Sequence, residues 1–158
     1  MSTQQNARKE IRKSIEIDAS REQIWDAITS DESFRDWCSA FCDGTYFVGD
    51  WSEGSKMRFL GPSPEDGQEG GMISEVVEHK PGHVLRLKAV GEISNGEEKY
   101  SGGNYPEWLG SPEEYSLLGD SAPYELQIYA ETPENMHEFF NSAWDQSVNR
   151  IKELAEQK

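Results

Sequence analysis

The residues able to do chemistry are few and mostly lack companions. Cys38 and Cys42 stand four apart and would share one face of a helix. Two thiols do not make a structural zinc site, which takes four ligands. His79, His83 and His137 add ligands only if folding gathers them, and His79 and His83 flank Lys80-Pro81-Gly82, a tight turn that would leave them exposed. No Gly-x-Ser-x-Gly elbow occurs, and no local Ser or Cys has a His and an orienting carboxylate beside it. Gly70-Gly71 and Gly102-Gly103 lack the helix and lysine that follow a phosphate-cradling loop. These patterns call for reduced cysteines, no metal, no cofactor and no recognisable catalytic set. Arg58, Glu75 and Arg86 alternate with apolar neighbours. Facing outward they form cross-strand ion pairs; facing inward, one becomes a buried charge and a candidate acid, base or ligand anchor.

Aromatic residues offer more. Trp37, Phe41, Phe59, Tyr115, Phe140 and Trp144 can line one space between a sheet and a helix. Ser74, Tyr115 and Ser147 would be its polar orienting groups, as ligand pockets are mostly apolar with a few polar anchors. The competing reading is that these rings fill the space as a core.

The elements that must position them are legible from periodicity. Ile11, Lys13, Ile15 and Ile17 alternate with polar residues, so a first strand is expected. Ser20 with Gln23 forms a capping box for a helix carrying Ile24, Ala27 and Ile28, and a second short helix follows from Asp31 to Trp37. Strands are expected at Thr45–Val48, Lys56–Leu60, Met72–His79, Val84–Gly91, Glu114–Leu118 and Tyr124–Glu131. Residues 61–71 read as a flexible connection, and Lys80-Pro81-Gly82-His83 as a type II turn. Residues 92–113 read as turns, with Tyr100, Tyr105, Trp108 and Leu109 either packed on the core or forming a lid. Thr132 is expected to cap a last helix with Pro133 at its first position, and Phe140, Trp144, Ser147, Val148, Ile151 and Ala155 mark its buried stripe.

Composition bounds the function. The 158 residues carry 30 acidic and 15 basic side chains, a net charge of −15. Such a surface repels nucleic acid and anionic membranes. It favours solubility, or an acidic face for a basic partner. No apolar run reaches the ~18 residues that span a bilayer, and Met1–Lys13 has no signal-like apolar stretch. A flexible N-terminus at 1–10, one domain at 11–158 and a cytoplasmic location are expected.

Together these features resemble the helix-grip (SRPBCC) superfamily of START and pollen-allergen type, and within it the branch similar to the C-terminal domain of the heat-shock chaperone ATPase activator. The resemblance rests on Ile15-Glu16-Ile17-Asp18-Ala19-Ser20 leading into Ile24-Trp25, then Trp37, Gly54 with Met57–Phe59, Gly71 before Met72–Glu78, Trp108-Leu109-Gly110 with Glu114-Tyr115, and Phe139-Phe140-Asn141-Ser142-Ala143-Trp144. It covers about residues 11–157 through order and spacing, not through one specific motif. Ala143 stands where the family often has Gly, and Glu53-Gly54-Ser55 replaces a common Gly-Gly pair. The resemblance implies an α+β fold in which a seven-stranded antiparallel sheet wraps a long C-terminal helix, with two short helices after the first strand. It also implies a pocket between sheet and helix, with Trp37 near its mouth. The fold fixes no activity. Three functions stay open: non-catalytic binding of a small hydrophobic molecule; co-chaperone-like or stress-related action on a chaperone or other protein, through a patch around Trp51 and Trp108; and a cyclase- or hydrolase-type enzyme, which needs a perturbed titratable group in the cavity.

Overall fold

The computed structural model describes residues 8–62, 68–103 and 105–157. Strand β1 (Arg8–Ile17) leads into α1 (Arg21–Thr29) and α2 (Asp31–Trp37). Then come β2 (Tyr46–Val48), β3 (Lys56–Pro62), β4 (Glu69–Lys80), β5 (Val84–Ser94), β6 (Glu97–Lys99), β7 (Pro112–Leu118), β8 (Tyr124–Pro133) and α3 (His137–Glu156). The strands form one antiparallel sheet in the order β1-β8-β7-β5-β4-β3-β2, with β6 added on β5. Helix α3 closes the concave side, packing on β1, α1 and α2. The expected helix-grip architecture is therefore present, with an eighth strand drawn from a segment read as turns. Among the described residues, no helix is long and apolar enough to cross a membrane.

Local chemistry explains most element ends. Ser20 Oγ accepts from the Gln23 amide at 3.1 Å, and Gln23 Oε1 accepts from the Ser20 amide at 2.9 Å. This reciprocal cap satisfies two orphan donors of α1. Gly82 holds φ at +82° in the β4–β5 turn, where the His83 amide donates to the Lys80 carbonyl. Helix α3 buries Ala143, Trp144, Ser147, Val148, Ile151 and Ala155, one stripe at spacings of three and four.

Several boundaries differ from expectation. Of the flexible N-terminus, residues 1–7 lie outside the described residues, whereas Arg8–Glu10 belong to β1 and pair with Glu131–Pro133. That pairing changes the end of β8. Thr132 continues the inward series Tyr124, Leu126, Ile128 and Ala130 instead of capping a helix. A single 3-10 turn at Glu134–Met136 precedes α3, whose N-cap Met136 makes no side-chain cap. In the connection at 61–71, Gly61-Pro62 extends β3 and Glu69–Gly71 begins β4, with residues 63–67 outside the described residues.

Two bulges interrupt β4–β5: Val90 is extra on β5 and Val77 on β4. The first shifts the phase of β5. Leu85, Leu87 and Ala89 point inward before it, and Glu92 is buried after it.

Candidate ligand cavity under the start of the last helix

A cavity of about 600 Å³ lies between the sheet, the end of α2 and the first half of α3. Its volume falls within the usual range for small-molecule sites, roughly 300–1,000 Å³. Trp37, Cys38 and Phe41 form one wall, from the end of α2 and the 3-10 turn after it. Phe59, Met72 and Ser74 come from β3 and β4, while Phe140 and Trp144 come from α3. Glu92 of β5, Glu113 of β7, and Ala130 and Thr132 of β8 complete the sheet side.

Six of the eight residues expected to contact a ligand lie on this cavity: Trp37, Phe41, Phe59, Ser74, Phe140 and Trp144. The rings of Trp37, Phe41, Phe140 and Trp144 form a connected network. Centroids are 6.0 Å apart for Trp37–Trp144, 5.0 Å for Phe41–Trp144 and 5.6 Å for Phe41–Phe140. Tyr115 and Ser147 are not on the wall. Tyr115 packs behind it, 6.4 Å from Trp37 and 5.9 Å from Trp144, and its hydroxyl donates to Glu113 Oε2. Ser147 is fully buried and donates to the Trp37 carbonyl. Trp37 is as deep as Trp144, at 2% and 3% exposure, so it is a wall residue and not an exposed rim.

Among the described residues, two polar atoms of the residues in this wall lack hydrogen-bond partners. Trp37 Nε1 and Thr132 Oγ1 are buried and unpaired, and both residues line the cavity. Such atoms are rare, because each costs about 1–3 kcal/mol of desolvation without compensation.

Sequence reasoning missed the cavity's carboxylates. Glu113 lies two positions before Tyr115 and four before Leu117, so strand alternation puts it on the inward face, and extending that pattern backward would have found it. Glu92 was hidden by the Val90 bulge, which the pattern of a single strand cannot show. Its Oε1 accepts from the Tyr105 amide at 2.7 Å. A Cβ at Gly103 would come within 2.3 Å of the Glu92 carboxyl group, so a larger residue there would displace that side chain. The segment 92–113 thus completes β5, adds β6, and returns along the cavity with Tyr105 and Trp108, the latter packed edge-on to Phe140 at 5.1 Å.

Environment sets the protonation of these groups. Burial raises the Glu113 carboxyl above its ordinary range, against the opposing pull of the Tyr115 hydroxyl. Burial also pushes the Cys38 thiol up, with Glu113 and Cys42 adding to the shift, so it is a poor nucleophile. Glu131, also on the wall, is held low by the Tyr129 hydroxyl and by Arg8, whose Nε lies 3.1 Å from Oε1.

The remaining candidates sit elsewhere. Arg58 pairs with Glu98, Arg86 pairs with Glu78 at 2.9 Å, and Glu75 lies in register between Lys56 and Lys88, all on the outer face. His79 is not exposed as the turn suggested. It is half-buried, accepting at Nε2 from Trp25 Nε1 and facing the Trp51 carbonyl with Nδ1. Trp51 is itself buried, with φ of +64° and its Nε1 donating to the Thr29 carbonyl, so it forms no surface patch with Trp108. Among the described residues, no three His, Cys, Asp or Glu side chains gather as metal ligands.

Comparison with known proteins agrees with this architecture. The sequence profile of the family described as "Activator of Hsp90 ATPase homolog 1-like protein" matches residues 18–105, more than half of the chain. Among solved structures, a protein from Mesorhizobium loti superposes with a TM-score of 0.67 at 14% identity, covering 95% of this chain and 98% of its own. The Aha1 dimer from Colwellia psychrerythraea gives 0.65 at 21% identity, covering 94% and 96%. A protein from Chromobacterium violaceum gives 0.65 at 20% identity, covering 93% and 97%. At these identities the structural likeness shows a shared fold. No curated protein matches the chain.

Proposed function

The chain belongs to the family of Activator of Hsp90 ATPase homolog 1-like proteins, and from that premise we propose that it is a non-catalytic binder of a small, largely apolar molecule, held between the sheet and α3. One observation carries this reading: a cavity of about 600 Å³ walled by aromatic rings retains two buried polar atoms, Trp37 Nε1 and Thr132 Oγ1, with no partner. A space meant only as core would be filled by side chains, and its polar atoms would be paired. Both atoms are covered in the ligand-free fold, so a ligand that drew them toward the cavity by a small side-chain turn would recover their desolvation cost while its body covered Phe41, Phe140 and Trp144. Native mass spectrometry of purified protein, together with titration of the uncharged dye Nile red, tests the reading. Saturable one-to-one uptake, weakened by filling the space with Ala130→Phe, is expected. A folded wild-type protein that takes up no dye and carries no small molecule would remove the reading.

A second reading is contact with a chaperone in the cytoplasm. The family description, the net charge of −15 and the exposed ring of Phe139 beside Phe140 favour it. Titration of purified Hsp90 with this protein, and with its Phe139→Ser variant, tests that reading directly. The enzymatic reading has one supporting group, the raised carboxyl of Glu113; on the same wall the Cys38 thiol is held protonated by burial, Glu131 is paired with Arg8 and Glu92 is bonded to the Tyr105 amide.

A further inference from the structure

The cavity is apolar in area but one-sided in charge. Among the described residues lining it, the ionisable side chains are Glu69, Glu92, Glu113, Glu131, Cys38, Cys42 and Tyr105, with no Lys, Arg or His. Glu131 is neutralised by Arg8, and Glu69 accepts from the Tyr46 hydroxyl at the exposed rim. Glu92 has its own structural bond to the Tyr105 amide. Glu113 differs. It occupies an inward position of β7, opposite Leu87 on β5 and Ala130 on β8, where sheet packing calls for an apolar residue. Its partner is the Tyr115 hydroxyl, a neutral donor on one oxygen. A carboxylate placed so, without a cation, is costly and is retained in folds mainly where it is used.

What surrounds it favours positive charge. Trp37 and Trp144, with ring centroids 6.0 Å apart, share the wall with Glu113, and Tyr115 packs behind them. Aromatic faces attract cations, the more so when desolvated. Thr132, the next inward residue of β8 after Ala130, also lines the cavity; its hydroxyl oxygen is covered and unpaired among the described residues, and rotation about Cα–Cβ would let it accept from an ammonium N–H. Trp37 Nε1 adds a donor for an acceptor on the ligand body.

We propose that the cavity selects an organic cation: an ammonium group on an apolar body, its charge held by the Glu113 carboxylate and Thr132 Oγ1 and its body against Trp37, Trp144 and Phe140. This rests on the reading of the cavity as a ligand site and narrows it to amines, excluding fatty acids and other organic anions.

The test uses three probes of one shape: 4-phenylbutylammonium, 4-phenylbutanol and 4-phenylbutyrate. Each is titrated calorimetrically into the whole protein at pH 7.5. Salt at ~0.15 M shortens the reach of the surface charge to about 8 Å. The ammonium is expected to bind about tenfold or more tighter than the alcohol, as one charge-assisted contact is worth at least that, and the carboxylate weakest of all. Glu113→Gln is expected to bring the ammonium down to the level of the alcohol, with a far smaller change for the alcohol itself. Since that variant changes the net charge by one in fifteen, the general acidity of the surface would survive it. Equal binding of ammonium and alcohol, or tighter binding of the carboxylate, overturns the inference while leaving the cavity as a site for uncharged molecules. A preference that persists in Glu113→Gln also overturns it. Binding of none of the three, with no Nile red uptake, overturns both readings.

Discussion

Ser147 Oγ donates to the carbonyl oxygen of Trp37 at 3.1 Å, tying the middle of α3 to the last residue of α2. Both residues are buried, so no water replaces this bond if it is lost. It fixes the backbone from which the Trp37 ring enters the cavity wall. Ser147→Ala is expected to cost about 1 kcal/mol, the typical net worth of such a bond, or more if the carbonyl stays unpaired. Urea unfolding measures the loss, and Nile red affinity should fall with it because the ring is less firmly placed. An unchanged midpoint would mean that the helix contact is held by packing alone.

Thr132 gives the opposite sign. Its hydroxyl oxygen is buried and unpaired inside β8, pointing the same way as Ala130. Thr132→Val keeps the shape, removes the unsatisfied atom and suits a strand. The variant is expected to be more stable by about 1 kcal/mol, seen as a higher unfolding temperature, and to bind 4-phenylbutylammonium more weakly. A gain in stability with a loss in binding is the signature of a group retained for a ligand. Destabilisation would show instead that the hydroxyl has a structural partner in solution.

Both residues mark how far the sequence could be read. Regular periodicity announced α3 and most strands, and the same stripe put Phe140 and Trp144 on the inner face. Ser147 lies on that stripe as well, but the stripe cannot tell a residue facing the cavity from one facing α2. Thr132-Pro133 has the chemistry of a helix start, yet pairing with Lys9 and Arg8 draws both residues into the sheet. Long-range pairing overrode a sound local signal. Glu113 is legible by alternation from Tyr115, but as one acid among 30 it carries no distinguishing local signal. Glu92 was not legible, because its inward direction depends on a bulge at Val90 set by the partner strand. Trp37 Nε1 and Thr132 Oγ1 are conspicuous only when three-dimensional neighbours are known to be missing.

His79 joins three elements. Its Nε2 accepts from Trp25 Nε1 of α1 at 2.9 Å, so Nδ1 carries the proton and donates to the Trp51 carbonyl at 2.8 Å. The Trp51 backbone is held at φ of +64°, which a tryptophan adopts only under constraint. His79→Phe retains a ring of similar size but leaves both partners unsatisfied. A loss of about 1–3 kcal/mol is expected, with heightened protease cleavage in the segment around Trp51. If stability is unchanged and cleavage does not rise, the histidine contributes packing and nothing more.

The pH dependence of stability should carry the mark of Glu113. Burial raises its carboxyl above the ordinary glutamate value of 4.5 in the folded protein. Between that value and the raised one, the folded state keeps a proton that the unfolded chain has lost. Stability from this group is therefore highest in acid. It falls as pH rises from about 4.5 through the window, by at most about 1.4 kcal/mol per pH unit, and is level above it. Asp36 and Glu131, held low by Arg150 and by Tyr129 with Arg8, act in the reverse sense, losing stability as pH falls. The wild-type curve mixes these effects, so the informative quantity is the difference from Glu113→Gln, which retains an acceptor for the Tyr115 hydroxyl but has no proton to lose. That difference should grow in favour of the variant from about pH 4.5 upward and then plateau, as measured by urea midpoints across pH 4–8. Saturating 4-phenylbutylammonium should shrink the plateau, because a bound cation stabilises the ionised carboxylate in the wild type alone. A difference that stays flat with pH would show that Glu113 is solvated in the cavity, and an unchanged plateau with the amine would show that no cation reaches it.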